Sequence, residues 1–597
     1  MMARQAKTVT ITINGTPLQV EEGTLLVEAA SRADVEIPTL CYHEDLSPRG
    51  ICGICLVKVN GEYVRSCITR VQEGMEVVTS DPVIRETRRK ILELILATHP
   101  DDCLKCIKHG KCELQDLAER LEVRSIPYDK YERGLPVDRT SPSIVRDMNK
   151  CIGCGRCIEV CHNVQSVGAI FFHHRGSHTI VANAAGQTMG TSVCVACGQC
   201  VVYCPVGALY EKEAVERVWE ALADPEKVVV AQIAPAVRVA LGEEFGMKPG
   251  ELVIGKIYAA LRRLGVDYVF DTNFSADLTI MEEGTEFLHR LEKGERLPLI
   301  TSCSPGWIKF AETYYPDLLP HLSTCKSPQQ MMGAVVKTYF AQAKGIPPSR
   351  IVSLSVMPCT AKKFEAQREE MRDSGFWDVD IVLTTRELAR MIRQAGIRFD
   401  QLKEEPADPV LSSYSGAATI FGATGGVMEA ALRTAYELKT GKSLPRVEFA
   451  QVRGVKGVKE AVIELNGTQI RVAVAHGLSN ARKVLDRVRE AKERGEPLPY
   501  HFIEVMACPG GCVGGGGQPL PSPLKKREER LMGLYAEDGA LSVRKSHENP
   551  EVRALYEHFL KEPNGELPHT LLHTHYEPRD PYRLRKSPLR EQVSTPE

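Results

Sequence analysis

Two cysteines near the end of the chain, Cys508 and Cys512, lie in a stretch with the residue types of a metal-cluster site. Residues 504–519 hold these two thiols together with six glycines, so little side-chain bulk surrounds them. Thiolates are the ligands that soft metals and iron–sulfur clusters prefer. Glycine lets the backbone approach a bulky group closely or adopt a positive φ. The stretch therefore predicts a cluster at a glycine-rich loop, rather than a buried cysteine pair in a flexible loop.

Two further stretches each place a cysteine at the end of an apolar, strand-like run. Residues 299–307 contain Cys303 before a Pro-Gly turn, and residues 351–363 place Cys359 after a buried run. In open α/β folds, ligands gather at the carboxyl ends of strands. We therefore expect the three cysteine-bearing stretches to converge on one pocket.

The N-terminal region carries four cysteines in a loop-rich, β-rich setting. Two alternating runs, 8–14 and 17–20, flank Gly15 and predict a hairpin. The spacing C-x10-C-x2-C-x11-C then follows, formed by Cys41, Cys52, Cys55 and Cys67. Four thiolates in such a domain predict a [2Fe–2S] cluster, although the plant ferredoxin spacing differs. A four-thiolate zinc site is the alternative.

A histidine and three cysteines follow a predicted helix that is rich in Arg and Leu. Their spacing, H-x3-C-x2-C-x5-C, predicts a [4Fe–4S] cluster with the ligands His99, Cys103, Cys106 and Cys112. A neutral imidazole in place of an anionic thiolate should raise the reduction potential. A lone histidine is more often an ordinary exposed side chain, and His109 is the other candidate for the fourth ligand.

An internal repeat follows, in which each half carries the run C-x2-C-x2-C-x3-C. In two-cluster ferredoxins, the fourth cysteine of each run ligates the cluster of the other half. One predicted [4Fe–4S] site therefore comprises Cys151, Cys154, Cys157 and Cys204. The other comprises Cys194, Cys197, Cys200 and Cys161. Nothing in this repeat indicates bond chemistry, so it predicts an electron path.

The size and composition of the chain indicate a multi-domain protein without a charge bias. At 597 residues it is too long for one hydrophobic core, and its net charge of −2 favours neither nucleic acid nor an anionic membrane. No apolar run reaches the roughly 20 residues of a membrane span, and no signal peptide is visible, so we expect a cytoplasmic location. In that compartment, 20 cysteines predict metal ligation and not disulfides.

Composition and motif positions divide the chain into five predicted segments. Strand–helix alternation after residue 215 indicates an α/β domain with mostly parallel sheets. The predicted segments are a [2Fe–2S] domain (1–80), a [4Fe–4S] domain with its linker (81–139), a ferredoxin-like domain with two [4Fe–4S] clusters (140–215), the α/β domain with a C-terminal segment (216–576) and a polar, disordered tail (577–597).

Together, the three cysteine-bearing stretches resemble the signature motifs of the iron-only ([FeFe]) hydrogenases, and the resemblance extends over nearly the whole chain. It implies that family's fold, an α/β catalytic domain of two lobes preceded by small β-rich and α+β ferredoxin-like iron–sulfur domains. It also implies an H-cluster, a [4Fe–4S] cubane joined to a di-iron unit with CO, CN and a dithiolate bridge. The block around His99 also resembles a cluster domain of complex I.

The match implies roles for individual residues around the H-cluster. Cys359, Cys508 and Cys512 match cubane ligands, of which the last also bridges to the di-iron unit. Lys362 matches a lysine that hydrogen-bonds an iron-bound cyanide, which suits its three donors. Ala236 stands where the family often has a serine, so one hydrogen bond is expected to be missing. The other residues matched to the surroundings of the cofactor are Pro235, Ser327, Pro328, Met357 and Met506.

The first motif departs from the family pattern at Ser304. The family has two adjacent cysteines, of which the first relays protons and the second ligates the cubane, whereas this chain has Cys303 followed by Ser304. A serine oxygen is a poor ligand for a soft metal. We hypothesise that Cys325, in a segment that the family places beside the cluster, supplies the fourth thiolate and leaves Cys303 as the relay. The rivals are that Cys303 ligates the cubane, or that Cys325 is simply a small buried residue.

The same match implies a chain of proton carriers from the H-cluster to the surface. Its members are Cys303, Glu283, Ser323, Glu286 and, near the outer end, Arg290. Thiol, hydroxyl and carboxyl groups can each take up and release a proton. Without the resemblance, the two glutamates would be interpreted as part of a solvated helix face.

The predicted activity is reversible hydrogen oxidation, 2H⁺ + 2e⁻ ⇌ H₂, with one [2Fe–2S] and three accessory [4Fe–4S] clusters as the electron path. The resemblance favours a subunit of an electron-bifurcating complex. Its implied partners are a flavin- and NAD(P)-binding diaphorase-like subunit, a small thioredoxin-like [2Fe–2S] subunit, ferredoxin and H-cluster maturation proteins. No nucleotide-binding glycine fingerprint is evident, so NAD(P) would bind to a partner. The alternatives are a stand-alone ferredoxin-dependent hydrogenase, and a hydrogen-sensing or electron-transfer subunit without turnover.

Overall fold

The computed structural model describes residues 7–444, 446–465 and 467–580 of the chain. Most of the predicted polar tail, residues 581–597, lies outside the described residues. Within the described ranges, every helix is too short or too polar to cross a membrane.

The N-terminal domain is a small sheet with one buried face. It comprises β1 (Thr8–Ile13), β2 (Thr16–Glu21), α1 (Leu26–Arg32), β3 (Leu56–Val59), β4 (Glu62–Arg65) and β5 (Glu76–Val78). The strand order is β2-β1-β5-β3-β4, and β1 and β2 form the predicted hairpin. Asn14 and Gly15 turn this hairpin with positive φ at both positions. Val9, Ile11 and Ile13 alternate with exposed or half-buried residues, as expected of a strand with one face in the core.

Short elements built around the cysteine runs follow. They are α2 (Pro82–Ala97), α3 (Glu113–Arg120), β6 (Ile144–Arg146), α4 (Arg156–Glu159), β7 (Phe171–His173), β8 (Ile180–Ala182), α5 (Gln199–Val202) and β9 (Leu209–Glu211). Helix α2 begins at Pro82, with the Asp81 side chain accepting a hydrogen bond from the Ile84 amide. Helices α4 and α5 both start after a left-handed glycine, Gly155 and Gly198, so the sequence repeat recurs as a structural repeat.

The first half of the α/β domain contains a parallel sheet and the long helix beside it. Its elements are α6 (Val215–Ala223), β10 (Val228–Ile233), α7 (Ile254–Leu264), β11 (Tyr268–Asp271), α8 (Thr272–Lys293), β12 (Leu299–Ile300), α9 (Pro305–Tyr314), α10 (Pro328–Val335), α11 (Ala341–Lys344), β13 (Ile351–Met357), α12 (Ala361–Glu365), β14 (Ile381–Thr384) and α13 (Thr385–Gln394). The sheet has the order β11-β10-β13-β14, and all its neighbours pair in parallel.

The second half adds another sheet and the C-terminal helices. Its elements are α14 (Gly416–Thr419), α15 (Gly426–Thr440), β15 (Val458–Leu465), β16 (Thr468–His476), α16 (Leu478–Arg494), β17 (Phe502–Met506), α17 (Leu524–Ala540), α18 (Pro550–Leu555) and α19 (Glu566–Leu572). This sheet has the order β12-β17-β16-β15, and only β15 runs antiparallel to its neighbour. The expected two-lobed α/β domain behind ferredoxin-like domains is confirmed.

Candidate active site

The carboxyl ends of strands from both sheets surround one cavity. Cys303 follows β12, Cys359 follows β13, and Cys508 and Cys512 follow β17, and all four residues line the cavity. The three cysteine-bearing stretches therefore converge. Much of the remaining wall is apolar and includes Ala234, Pro235, Pro328, Met357, Phe421 and Met506. Such a wall keeps water away from whatever the cavity holds.

The thiols in this cavity have the properties of cluster ligands. Cys508 and Cys512 each lie within electrostatic reach of Cys359, so the three sulfurs belong to one group. Burial raises the pKa of Cys512 to about 12, so the protein alone does not stabilise a thiolate there. Iron would stabilise the deprotonated form, because metal binding and thiol deprotonation are linked. The residues therefore fit the [4Fe–4S] part of an H-cluster.

The glycine run packs backbone against backbone around the cavity. A Cβ added at Gly515 would lie 2.2 Å from the carbonyl oxygen of Pro358, and one at Gly516 would lie 2.5 Å from that of Cys197. Both distances are shorter than real Cβ contacts, so only glycine fits. The sequence predicts that these glycines let a cofactor approach the backbone. The structure adds that they let the last motif contact the second motif and the ferredoxin-like domain.

Lys362 is fixed at the cavity by a neighbour that the sequence analysis missed. Its Nζ lies 2.8 Å from Oε2 of Glu365 and donates to the carbonyl oxygen of Cys303 at 3.1 Å. Glu365 is buried and also accepts hydrogen bonds from Ser327 Oγ at 2.9 Å and Gln329 Nε2 at 3.0 Å. The i, i+3 spacing of the lysine and glutamate on one helix was the available signal. A cation held this way can donate into the cavity at a defined position.

The predicted proton carriers lie along α8 and the loop that faces it. Burial raises the pKa of Glu283 to about 8, against the effect of the nearby Ser323 hydroxyl. Ser323 Oγ donates to Oε2 of Glu286 at 3.0 Å, and Arg290 Nη2 lies 2.5 Å from Oε1 of the same carboxylate. Cys303 is within electrostatic reach of Glu283, and burial raises the pKa of its thiol. The five groups thus form a series from the cavity outward.

Cys325 lies among these carboxylates, and it is not one of the residues that line the cavity. Its side chain is fully buried, and its Sγ is 3.9 Å from Oε2 of Glu286. Alternate residues of an extended segment point to the same side, so the side chain of Cys325, like that of Ser323, points toward Glu286. The structure therefore does not bring Cys325 together with the other three thiolates. The hypothesis that it supplies the fourth ligand gains no support from this placement.

A buried network from the C-terminal segment, also missed by the sequence analysis, holds the same loop. Glu282 is fully buried, accepts a hydrogen bond from the Tyr556 hydroxyl and lies 3.1 Å from Nε2 of His573. Nδ1 of His573 is 2.7 Å from Oγ1 of Thr324. The Thr324 amide in turn donates to Oε2 of Glu286 at 3.2 Å. The segment therefore fixes the loop that carries part of the predicted relay.

The eight cysteines of the repeat separate into the two predicted groups. One group lines a separate small cavity and comprises Cys151, Cys154, Cys157 and Cys204. In the other group, Cys200 lies within electrostatic reach of both Cys194 and Cys161, and also of Cys204 from the first group. Cys197 lies within reach of Cys200 and lines the large cavity as well. The second group is therefore next to the catalytic cavity.

The two N-terminal sites also have arrangements that suit clusters. Cys41 is in hydrogen-bond contact with Cys52 and Cys67, and Cys55 is in contact with Cys67, so the four thiols meet at one point. His99 is buried, and burial lowers its pKa to about 4, which keeps the imidazole neutral. Its Nδ1 has no hydrogen-bond partner among the described residues. A buried, unpaired and neutral ring nitrogen is what a metal ligand requires.

The ferredoxin-like domain contacts the cavity loops directly. Gln199 Nε2 donates to the carbonyl oxygen of Gly514 at 3.0 Å, and Thr360 Oγ1 donates to that of Ala196 at 2.8 Å. Gln165 Nε2 donates to the carbonyl oxygen of Ala507 at 2.9 Å. All three contacts are buried and join the cluster loops to the second and third motifs. The cluster loops of the ferredoxin-like domain are therefore packed directly against the loops of the cavity.

Family models match almost all of the chain. Residues 227–516 match the iron only hydrogenase large subunit, C-terminal domain, and residues 524–579 match the iron hydrogenase small subunit. The N-terminal matches are a 2Fe-2S iron-sulfur cluster binding domain (6–82), the NADH-ubiquinone oxidoreductase-G iron-sulfur binding region (88–127) and a 4Fe-4S dicluster domain (147–208). The chain belongs to the iron-only hydrogenases, and it joins an H-cluster domain to [2Fe–2S] and [4Fe–4S] domains.

Its similarity to individual proteins extends along the chain. It is 51% identical over 581 residues to the NADP-reducing hydrogenase subunit HndD of Solidesulfovibrio fructosivorans, covering 95% of this chain and 98% of that one. Iron hydrogenase 1 of Clostridium pasteurianum is 42% identical, with 95% and 99% covered. A solved variant of apo [FeFe]-hydrogenase HydA1 from Chlamydomonas reinhardtii is 44% identical, with a TM-score of 0.55 over 61% of this chain and 99% of that one. The family expected from the three motifs is confirmed.

Proposed function

We propose that this chain is the hydrogen-converting subunit of a cytoplasmic, electron-bifurcating complex that links H₂ to NAD(P) and ferredoxin. The observation that carries the proposal is the cavity in which Cys359, Cys508 and Cys512 meet beside Lys362, at the strand ends of two sheets. When bound there, the H-cluster supplies the chemistry of making and breaking the H–H bond. The protein contributes ligands, exclusion of water, proton carriers and an electron path.

In this proposal, the cavity residues divide into ligands and positioning groups. Cys359, Cys508 and Cys512 would hold the cubane, and Lys362 would donate a hydrogen bond to the bound cofactor from the position that Glu365 fixes. Pro235, Pro328, Met357 and Met506 exclude water from the same space. In a dry cavity, a fixed ammonium donor stabilises negative charge more strongly than it would in water.

Protons move along a series of groups whose states suit transfer. Below about pH 8, Glu283 holds a proton, because burial raises its pKa to about 8. It can therefore donate toward Cys303 on the cavity side or accept from the Ser323 side near neutral pH. Glu286 then exchanges with the surface beside Arg290. A carboxyl group with an ordinary pKa would stay ionised and could store no proton at this pH.

The electron acceptor is assigned from similarity and domain content. The relative HndD is described as a subunit of an NADP-reducing hydrogenase, and this chain aligns with 98% of it. The chain's own domains supply iron–sulfur sites, whereas no nucleotide-binding glycine fingerprint is evident in its sequence. NAD(P) would therefore bind to a flavin-containing diaphorase-like partner, with a small thioredoxin-like [2Fe–2S] subunit completing the path.

The experiment is a stepwise assay of the protein after maturation with the di-iron unit. Hydrogen evolution from reduced viologen tests the catalytic site alone. Hydrogen evolution that needs both reduced ferredoxin and NAD(P)H, in the presence of co-purified partners, tests bifurcation. Activity with ferredoxin alone would instead support a stand-alone enzyme. No viologen activity from protein whose infrared spectrum shows bound CO and CN would support a sensor or an electron-transfer subunit.

A further inference from the structure

We infer that the Ser304 hydroxyl oxygen, and not a fourth cysteine, is the fourth protein ligand of the cubane. The inference depends on the proposed function, in which Cys359, Cys508 and Cys512 supply three of the four ligands. Two residues of the first motif, Cys303 and Ser304, also line the cavity with atoms that can bind iron. The question is which of these two faces the cubane.

The other polar side chains of the cavity wall are already paired. Thr272 Oγ1 donates to Oε1 of Gln232 at 3.0 Å. Gln329 and Lys362 both bind Glu365. The remaining sulfur in the wall is that of Cys197, which the repeat assigns to the neighbouring cluster. Cys303 and Ser304 are therefore the candidates that the geometry leaves.

Adjacent residues of extended backbone point to opposite sides, and Ser304 has extended dihedral angles, with φ −104° and ψ 99°. Cys303 is within electrostatic reach of Glu283 of α8, and it packs against the apolar cluster that contains Ala276 and Ile280 of the same helix, a cluster that Cys512 also contacts. The cysteine is therefore on the side of the proton carriers. Its neighbour Ser304 must then face away from α8.

Ser304 faces the residues that lead to the cubane ligands. Its Oγ accepts a hydrogen bond at 3.2 Å from the amide of Ala507, the residue directly before Cys508. Ala507 belongs to the same buried cluster as Cys194 and Cys200 of the adjacent [4Fe–4S] site. The serine oxygen is thus on the side of the cavity that the ferredoxin-like domain contacts, and the Cys303 thiol is on the side of Glu283.

The hydrogen bond from the Ala507 amide to Ser304 is of the same kind as those that the sulfurs of the predicted cluster ligands accept from backbone amides. Backbone amides donate to the Cys161 sulfur at 3.3 Å, to the Cys151 sulfur at 3.4 Å and to the Cys41 sulfur at 3.5 Å. Hydrogen bonds to a charged acceptor are stronger than those to a neutral one. The same contact would stabilise the Ser304 oxygen once its proton has been lost.

Ligation exchanges one bond for another at the serine. The O–H bond of Ser304 breaks as the O–Fe bond forms, and the proton leaves with the thiolate or hydroxide that occupied that iron during cluster delivery. No electron is transferred in this step. Oxygen is a harder donor than sulfur and favours the ferric state, so the cubane of this chain has a lower reduction potential than one with four thiolates.

Infrared titration of the matured protein tests the assignment, because the CO and CN bands arise from the H-cluster and not from the accessory clusters. In Ser304→Cys we expect shifted bands and a midpoint potential moved to a higher value. In Ser304→Ala we expect a smaller fraction of protein with an H-cluster. Cys325→Ala and Cys325→Ser should leave the bands and the potential unchanged. In the reverse pattern, the Cys325 variants would lose the CO and CN bands and the Ser304 variants would leave the bands and the potential unchanged. That result would overturn the inference in favour of Cys325.

A second measurement separates this inference from the proposed function. Protein made without the di-iron unit and with ¹⁷O-labelled serine should show oxygen hyperfine coupling to a reduced cubane, and Ser304→Cys should remove it. This readout requires neither hydrogen activity nor CO and CN ligands. Absence of ¹⁷O coupling would overturn the inference, and loss of the cubane in Cys303→Ala with Ser304→Ala unaffected would show that Cys303 is the ligand.

Discussion

Glu365 holds the ammonium group of Lys362, with Oε2 2.8 Å and Oε1 3.1 Å from Nζ. Replacing it as Glu365→Gln removes the charge of the acceptor and leaves the shape of the side chain. We expect hydrogen evolution to fall about tenfold, the effect of about 1.4 kcal/mol on the barrier, because Lys362 is no longer fixed at the cavity. The measurement is viologen-linked H₂ production together with the CN bands in the infrared spectrum.

The matched control is Glu369→Gln, four residues further along the chain. Glu369 pairs with Arg372 at 3.5 Å, and its side chain is 83% exposed. Loss of an exposed ion pair changes stability little, so the activity and the CN bands should be those of the unmodified protein. Equal loss in both variants would contradict the positioning role of Glu365.

Glu283→Gln removes the carboxyl group closest to Cys303 among the predicted carriers. Because proton transfer by a positioned side chain contributes about 10²–10⁴-fold, we expect turnover to fall at least about 100-fold. The clusters should remain loaded, since no predicted ligand is changed. Steady-state H₂ production measures the turnover, and the iron content measures how fully the clusters are loaded. Near-normal H₂ evolution would refute the role of Glu283 as a proton carrier.

The Glu283→Gln substitution should also change how the free energy of unfolding depends on pH. Burial raises the pKa of Glu283 from 4.5 to about 8. The contribution of this carboxyl group to the free energy of unfolding is therefore fully present below pH 4.5 and is lost as the pH rises through about 8. Glutamine does not ionise. The free energy of unfolding should therefore fall less between about pH 5 and pH 8 in Glu283→Gln than in the unmodified protein, as measured by denaturant titration at each pH.

His573→Gln tests whether the C-terminal segment positions the proton carriers. His573 binds both Glu282 and Thr324, and the Thr324 amide binds Glu286. We expect about tenfold slower turnover and a shifted pH–activity profile, with unchanged CO and CN bands, because only the relay is displaced. His569→Gln is the control, since His569 is exposed and only stacks on the His573 ring at 4.5 Å. An unshifted profile in His573→Gln would rule out the positioning role.

Gly198→Ala tests the contact between the ferredoxin-like domain and the cavity. A Cβ at Gly198 would lie 2.4 Å from Oγ1 of Thr360, so the cluster loop must move away from the cavity. We expect slower H₂ evolution, because it needs electrons from the accessory clusters, and retained hydrogen–deuterium exchange with solvent, because that reaction needs none. Gly186→Ala is the control: its φ of 70° matches the 71° of Gly198, but nothing lies within 4 Å of its Cβ. Equal effects in the two variants would assign the change to backbone strain alone.

The sequence was sufficient to predict the two-lobed fold and the convergence of the three motifs, because strand ends in α/β sheets meet at one edge. Motif spacing could not place Cys325, since a segment assigned to the neighbourhood of the cluster still has two sides. The predicted role of Ser323 in the relay indicates the side on which Cys325 lies. In an extended segment, residues two apart point to the same side, so the side chain of Cys325 points toward the proton carriers as that of Ser323 does. Glu282 and His573 are 291 residues apart, and no local pattern joins such a pair.

The contact between the last glycine run and the loop of Cys197 has a consequence for how the enzyme matures. Within residues 515–517, Gly516 packs against the backbone of Cys197 and Gly198, whereas Gly515 and Gly517 pack against the backbone of Pro358. An iron–sulfur loop takes its final shape when its own metal is bound. We therefore expect an obligatory sequence of metal insertion, in which the ferredoxin-like domain is filled first and the hydrogen-binding cofactor is received last.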